Sequence, residues 1–531
     1  MKTKYILKGL LAMSLLVVFA AGCESYNEAV LTDIGAVREL SPLELKASIK
    51  KQTTVELNWT VSEDADHYVV EIAAGDPEFK TIFKTLEVNA AELPLQVVLE
   101  GETVYSIRVK AVSSRDKEDS KWSVITATTL SEQLFLAGEF DDILGKEVTL
   151  RWIPNSSVSK IELIPTDPTK AAVTHTITAE EKESGVATVT GLSSLSLYTA
   201  DLYNNTSRRG SQKLETDIDL SDGIEVGPTD DLAIKVANAA SNDILILKPG
   251  DYTSQISTIV LAKGVTIRGL RKFDKPKLKL TFNISPGVID DVNLINLNLT
   301  GAAGNKIDVL RYAATGNYGN LLISGCIIHD YDRTFIGANS GFNANIKSII
   351  VDNSVVTNVG TLGTGSFIDF RAAFADKIEF RKSTFNNCVP GAAFIRSDNP
   401  ANPSPFGAVT TDILIENCTL YGVTNTIATS GLQILYVRFV DNAAVVRNSI
   451  FAATAARYAN QSTTNNPTFE NNNYFNASTL NVAAPLELYL RTDTAGTALD
   501  PQFVNAASGD FTIKNQVLIG RKVGDPRWIK E

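Results

Sequence analysis

Arginines recur directly after an apolar residue in the C-terminal half of the chain, in a pattern that could bind an anion. Five dipeptides align as an apolar residue followed by a second residue, which is arginine in four of them: Leu310-Arg311, Ile336-Gly337, Phe370-Arg371, Ile395-Arg396 and Val437-Arg438. A guanidinium group binds a carboxylate through two parallel hydrogen bonds. If these dipeptides lie on neighbouring strands, their four arginines form one positive column along which an anionic ligand can bind.

Such a column needs compensation, because like charges on neighbouring strands repel each other. At a strand spacing of about 5 Å, two unit charges repel by roughly 3 kcal/mol at an effective dielectric constant of 20. Asp369 and Asp398 lie two residues from arginines of the column and could neutralise them. The sequence therefore leaves two interpretations open: a structural Asp–Arg ladder on the outer face, or a groove for uronic acid or another anionic glycan.

The strands that would position these arginines are predicted by a repeat in the C-terminal 300 residues. An apolar anchor recurs at spacings of 23 to 35 residues over seven repeats, or rungs: Leu294, Ile323, Val351, Phe380, Ile415, Val446 and Phe469. Two residues after the anchor, Asn and Gly predominate, and both tolerate a left-handed bend. Small or polar residues follow at the third position and apolar residues at the fifth. Because one rung cannot bury its own apolar face, the rungs must stack about 4.8 Å apart.

Other reactive side chains of this region are interpreted as structural. Cys326 and Cys418 occupy the third position three rungs apart, about 14 Å on that spacing, which is too far for a disulfide. We therefore expect buried thiols there. A second basic cluster is interpreted as a solvated loop: Arg268, Arg271, Lys272, Lys275, Lys277 and Lys279.

Composition and charge exclude several classes of protein. The 531 residues are 44% hydrophobic and 21% charged, which is not the composition of a disordered chain. The longest apolar run lies at the N-terminus, which excludes a protein with many membrane spans. Residues 1–228 carry a net charge of −13 and residues 229–531 of +2. The acidic front half argues against nucleic acid as a partner, and the neutral remainder can accept an anionic ligand.

Two β-sandwiches are predicted before the repeat, at residues 36–130 and 131–216. The first has about seven short strands in roughly 90 residues, with a tryptophan on an early strand. It resembles a fibronectin type III module, with Trp59 on the second strand and Tyr105 opening the sixth, and the second segment resembles a diverged copy. The resemblance implies spacer modules. Residues 217–229, rich in Asp and Gly, are the predicted linker.

The N-terminus has the order of an export signal. Three lysines precede the apolar run Leu10–Ala21, which ends in small residues. Ala20-Ala21-Gly22-Cys23 resembles the lipobox of bacterial lipoproteins, in which the cysteine is lipid-modified. The resemblance implies a signal peptide at 1–22, lipidation at Cys23 and a tether at 23–35. Acyl chains would anchor the chain to a membrane at roughly 0.8 kcal/mol per buried methylene.

Residues 230–531 resemble a pectate-lyase-like right-handed parallel β-helix. A short helix with an acidic cap at Asp230-Asp231 precedes the segments Asp243–Tyr252, with its Pro-Gly-x-Tyr end, and Gly264–Leu270. The closing segment Asp500–Trp528 resembles that of exported Bacteroidota lipoproteins. The expected fold is all-β: two fibronectin type III-like sandwiches followed by the parallel β-helix.

The resemblance implies a function in polysaccharide utilisation. We expect an outer-membrane, cell-surface lipoprotein that binds an acidic polysaccharide. Its partners would be that glycan, the membrane through the lipid anchor alone, and glycan-uptake proteins of the outer membrane. The candidate site residues are Arg371, Arg396, Arg438, Arg311, Asp369 and Asp398.

Two alternatives remain open. A polysaccharide lyase would cleave uronic-acid glycans by Ca²⁺-assisted β-elimination, with Arg371 or Arg396 as base and Asp369 and Asp398 near the metal; no cofactor is otherwise implied. A hydrolase is disfavoured, because His329 lacks the Gly-His-Gly segment of polygalacturonases of this fold. The second alternative is a structural or adhesive surface protein, which would retain no glycan.

Overall fold

A computed structural model describes residues 37–530, except 116, 256–257, 289, 339–340, 399–405, 408, 426–431, 439–440 and 484–488. The predicted signal peptide, the lipidation site Cys23 and the tether therefore lie outside the described residues. The chain divides into two compact units. The first comprises Met1–Phe135, Ser157–Ile161 and Asp201–Ser211, and the second comprises Leu136–Ser156, Glu162–Ala200 and Gln212–Glu531. Among the described residues, no helix has the length and apolar character needed to cross a membrane.

The first β-sandwich is antiparallel and has seven strands. They are β1 Leu43–Lys50, β2 Thr54–Thr60, β3 Ala65–Ala74, β4 Lys84–Val88, β5 Leu95–Val98, β6 Val104–Ser113 and β7 Ser123–Thr128. One sheet has the order β1-β2-β5 and the other β4-β3-β6-β7. Trp59 lies on β2 and Tyr105 on β6, as predicted, and both are buried. The Tyr105 hydroxyl accepts a 3.0 Å hydrogen bond from the Glu100 amide, which is a tyrosine corner.

The second β-sandwich repeats this plan with six strands. They are β8 Glu147–Arg151, β9 Lys160–Pro165, β10 Val173–Thr176, β11 Val186–Thr190, β12 Leu197–Asn204 and β13 Ser207–Glu215, with helix α1 at Ala179–Ser184. Its sheets have the orders β11-β8 and β10-β9-β12-β13. The Tyr198 hydroxyl accepts a 2.9 Å hydrogen bond from the Ser193 amide, so the tyrosine corner recurs. Strand order and corner are those of a fibronectin type III-like sandwich.

The rest of the chain builds three parallel sheets, called A, B and C. Sheet A contains β14 Ile224–Val226, β15 Ile244–Leu247, β17 Thr266–Gly269, β20 Val292–Ile295, β23 Gly316–Ser324, β26 Ala344–Asp352, β29 Phe374–Arg381, β32 Thr411–Glu416, β35 Asn442–Arg447 and β37 Thr468–Glu470. Sheet B contains β16 Thr258–Leu261, β19 Thr281–Ile284, β22 Leu310–Tyr312, β25 Ile336–Ala338, β28 Ile368–Phe370, β31 Ile395–Ser397 and β34 Leu435–Val437. Sheet C contains β18 Lys277–Lys279, β21 Asn298–Thr300, β24 Ile327–Tyr331, β27 Val355–Val359, β30 Thr384–Asn386, β33 Thr419–Tyr421, β36 Ile450–Ala452 and β38 Asn473–Phe475. From β17 to β36 the chain visits the sheets in the order A, C, B, one strand at a time. β14 falls inside the predicted linker, and the predicted domain boundaries stay predictions.

The register of sheets A and C confirms the predicted columns. The seven anchors pair in order along sheet A, and the residues five positions later pair in order along sheet C. The bend residues between the two sheets have φ between 46° and 64°: Asn296, Gly325, Asn353, Lys382, Asn417, Asn448 and Asn471. The third-position column is buried, and Ser354 Oγ accepts a 3.1 Å bond from the Cys326 amide of the preceding rung. Cys326, Cys388 and Cys418 are free, buried thiols.

Short helices and a terminal segment complete this unit. Helix α2, Leu232–Asn238, begins at the predicted acidic cap, where the Asp231 side chain accepts a 3.0 Å bond from the Ile234 amide. Helices α3, Ser478–Asn481, and α4, Gln516–Arg521, follow the last rung. Residues after β38 pack on the outer face of sheet C, where Leu518 and Val523 join the apolar cluster of Ile450.

Candidate anion-binding site

The register of sheet B differs from the prediction by two residues on two strands. Asp369, not Arg371, pairs with Arg396, and Tyr436, not Arg438, is the next residue along the sheet. The central outward column is Arg311, Gly337, Asp369, Arg396 and Tyr436. The prediction of four arginines in one column is therefore wrong. Neighbouring strands bring opposite charges together at Asp369 and Arg396, so the repulsion expected from like charges does not arise there.

The remaining predicted residues form a second line directly after the strands. Arg371, Asp398 and Arg438 follow β28, β31 and β34. The Asp398 amide donates to the Phe370 carbonyl at 2.8 Å, and the Arg438 amide donates to the Ser397 carbonyl at 3.0 Å. Both bonds continue the register of the strands. Arginine and aspartate therefore alternate along this second line, and Asp369 and Arg396 are neighbours in the first.

A polar cleft of about 250 Å³ opens on this face where the column has no side chain, at Gly337. We call it the arginine cleft. Its lining residues are Arg311, Arg333, Thr334, Gly337, Ala338, Thr364, Gly365, Asp369 and Arg371. Arg311 and Asp369 flank Gly337 on the two neighbouring strands. Arg333 was not predicted, and it reaches the cleft from the loop between β24 and β25.

Carboxylates beneath the arginines hold the guanidinium groups in place. Asp308 accepts a 3.0 Å bond from the Thr334 amide and pairs with both Arg311 and Arg333, the latter at 3.7 Å. Asp369 Oδ1 accepts a 3.1 Å bond from Arg371 Nε. The side chains of the two aspartates are 8% and 15% exposed, whereas those of Arg333 and Arg371 are 45% and 42% exposed. Asp308 is thus buried and Asp369 mostly so, whereas Arg333 and Arg371 are more exposed than the acids they pair with.

Farther along the sheet, a second group of charges surrounds Asp398. Its side chain is 2% exposed and accepts a 2.7 Å bond from Arg396 Nη2, and Arg438 Nε lies 3.3 Å from its other oxygen. The Arg396 guanidinium also lies over the Tyr436 ring, 5.0 Å from the centroid. Asp398 therefore holds two arginines in place beside an aromatic ring.

The structure brings the predicted residues together as two groups. Arg311, Arg371 and Asp369 meet in the arginine cleft, while Arg396, Arg438 and Asp398 form the second group. Within the described residues, no three His, Cys, Asp or Glu side chains are grouped so that they could hold a metal ion. Asp369 and Asp398, which the lyase alternative places near Ca²⁺, each pair with arginine.

Two segments of the chain match family profiles, both described as domains of unknown function: DUF4957 at residues 250–388 and DUF5123 at residues 413–528. Each match covers less than half of the chain. No curated protein matches it.

Among solved structures, the two-module fibronectin type III segment of chicken tenascin is 19% identical, covers 33% of this chain and 99% of its own, and has a TM-score of 0.23. The FN1–FN3 domains of chicken CNTN1 are 16% identical, cover 34% and 67%, and have a TM-score of 0.15. Neither the profiles nor these structures give an activity for this chain, so a function has to be argued from the site.

Proposed function

We propose that this protein binds an anionic polysaccharide through the arginine cleft. The observation that carries the proposal is the layering of charge: buried carboxylates fix three arginines whose guanidinium groups face a cleft. Among the described residues named here, three arginines stand beside two aspartates, Asp308 and Asp369. A guanidinium held in this way loses little conformational entropy when it binds a carboxylate, which favours affinity.

The size of the cleft suits one charged sugar unit. Its volume of about 250 Å³ is below the roughly 300–1,000 Å³ typical of sites for drug-sized ligands. A uronate carboxylate at Gly337 would lie between Arg311 and the arginines of the neighbouring loop and strand. Arg396 and Tyr436, farther along the same face, could contact the next sugar units of a chain. We therefore expect a polymeric ligand to bind along sheet B.

The architecture is consistent with a ligand platform on a stalk. We propose that residues 230–531 form a right-handed parallel β-helix, because three parallel sheets are visited in rotation. The two fibronectin type III-like modules would be spacers. Lipidation at Cys23 would anchor the chain at the outer-membrane surface, beside proteins that import glycan.

Calorimetric titration with uronate oligosaccharides tests this function, using the full-length chain in mild detergent. Arg371→Ala should weaken binding about 10- to 150-fold, the range of one charge-assisted hydrogen bond. Arg447→Ala is the matched control: Arg447 is 40% exposed and bonds Glu416 at 2.6 Å, but it lies on sheet A. Binding that is absent, or equal in the wild type and the Arg371 variant, would refute the proposal.

The same samples distinguish binding from cleavage. Absorbance of unsaturated uronate product, recorded with Ca²⁺ present, should stay flat for a binding protein. A steady increase that Arg371→Ala abolishes would replace the binding proposal with a polysaccharide lyase. Retention of no acidic glycan at all would favour the structural or adhesive alternative.

A further inference from the structure

A second pocket, lined by cations, lies away from sheet B on the outer face of sheet C. We call it the lysine pocket. Lys272 and Lys275 enter it from the loop before β18, and Arg527 enters from the C-terminal segment. The volume is about 390 Å³, and no described residue that lines it is acidic. Two of its cations belong to the basic cluster that the sequence indicated to be a solvated loop.

Hydrogen bonds to carbonyl and amide oxygens fix two cations of the lysine pocket, Arg527 and Lys275. Arg527 Nη2 donates to the carbonyl oxygen of Asn353 at 2.8 Å and to its side-chain oxygen at 2.7 Å. Lys275 Nζ donates to the Lys272 carbonyl. The Asp525 carboxylate lies 3.8 Å from Arg527 Nη1. Burial raises the pKa of Asp525, and the charge of Arg527 opposes that shift.

Among its described lining residues the pocket has three cations and no carboxylate. Burial, and to a lesser extent the charge of Arg527, lowers the pKa of Lys275. A bound anion would oppose both effects, because it stabilises the ammonium form. The floor of the pocket is apolar: Ile327 is 40% exposed there and lies beside Val355.

We propose that the lysine pocket is a second anion site, separate from the arginine cleft, which binds a sulfate or phosphate group. Two ammonium groups and a guanidinium, arriving from two different segments, can each contact one oxygen of a group with three terminal oxygens. A carboxylate offers two oxygens and matches this set less well. The apolar floor would support the carbon skeleton of an ester that carries the group.

Titration calorimetry at low ionic strength, where surface charges are least screened, tests the proposal on the full-length chain in mild detergent. The probes are sodium sulfate, inorganic phosphate, glucose 6-sulfate, glucose 6-phosphate and unmodified glucose. Lys275→Met keeps the aliphatic stem and should weaken anion binding about tenfold or more. Lys277→Ala, on the neighbouring strand outside the pocket, is the matched control and should bind as the wild type does.

The outcomes separate this site from the arginine cleft. Arg371→Ala should leave sulfate affinity unchanged, whereas Lys275→Met should leave uronate binding unchanged. Tighter binding of the sugar esters than of the inorganic ions would identify an ester as the ligand, and equal binding would identify the free ion. The proposal is overturned if no anion binds, or if Lys275→Met and the milder Lys272→Ala both bind like the wild type.

Discussion

An uncharged side chain that fills the arginine cleft would test whether a ligand binds there or whether the Asp–Arg ladder is only structural. Gly337 lies on β25 between Arg311 and Asp369, and its backbone does not require glycine. A Cβ atom there would have Thr334 Cγ2 as its nearest neighbour, at 3.4 Å, which is an ordinary contact. Gly337→Val therefore fits on the strand, and its methyl groups occupy the cleft.

The expected effects on stability and on affinity have different magnitudes. Glycine in a strand interior costs roughly 0.5–1 kcal/mol relative to alanine, and valine favours strands further. The free energy of unfolding should therefore stay constant or rise by about that amount. A ligand carboxylate excluded from the cleft loses a charge-assisted contact of about 1.5–3 kcal/mol, which corresponds to roughly 10- to 150-fold in affinity.

Two titrations decide the question: urea unfolding for stability and calorimetry with uronate oligosaccharides for affinity. Asn283→Val is the control, because Asn283 pairs with Arg311 in the same outward column but does not line the cleft. Gly365→Ala gives a useful contrast, since its Cβ would lie 2.8 Å from Thr334 Oγ1 and should displace the loop. Unchanged affinity in a stable Gly337→Val protein would show that the ligand does not enter the cleft.

Three further results are expected. Asp398→Ala should lower the free energy of unfolding in urea by about 1–3 kcal/mol, because Arg396 and Arg438 lose their buried partner yet keep contact with water. Tyr105→Phe should cost about 1–3 kcal/mol in the same assay, since the buried corner amide loses its acceptor. Thiol reagents should not label the three buried cysteines of the described chain, Cys326, Cys388 and Cys418, in the native protein at pH 8. Burial raises the pKa of Cys326 and Cys388 to about 12 and raises that of Cys418 as well, so the native state retains protons that the unfolded state releases. The contribution of these thiols to stability should therefore be constant below about pH 8 and fall as the pH rises above the unfolded thiol pKa of about 8.5. Labelling of these cysteines in the native state, or stability that rises with pH in the alkaline range, would contradict the prediction.

Sheets A and C could be predicted from the sequence because two independent signals agree there. The bend between the sheets requires a left-handed backbone, which selects Asn or Gly at one fixed position, as at Asn353. An apolar residue of sheet A lies two positions before the bend, and an apolar residue of sheet C lies three positions after it. Lys382 departs from the preferred residue types and still has φ of 46°, so the column context outweighs the local preference.

Sheet B lacks such a bend marker, and its register was therefore placed wrongly on two strands. A slip of two residues keeps every side chain on the same face of a strand, so alternation of apolar and polar residues cannot detect it. The register follows instead from aromatic stacking: Phe335, Phe367 and Phe394 stack at centroid distances of 4.5 and 4.7 Å. Each is followed by isoleucine, and this repeated Phe-Ile pair was the available signal.

The loop residues of the site could not be predicted by any repeat. Arg333 and Asp308 lie between strands, where spacing varies from rung to rung, and they meet only because the backbone of Thr334 anchors the carboxylate at 3.0 Å. Periodicity predicts which strand residues face outward. It does not predict which loop side chains turn towards them.

The corrected register changes the electrostatic reason for expecting a ligand. Four stacked arginines would have required an anion as compensation, but Asp and Arg compensate each other at β28, β31 and β34 of sheet B. This compensation is interrupted at Gly337, where the column has neither charge nor side chain, and three arginines surround the gap. Both nearby carboxylates already pair with arginine. A ligand carboxylate bound there would occupy the place that an aspartate side chain has elsewhere in the ladder, so the requirement for an anion is local to this gap.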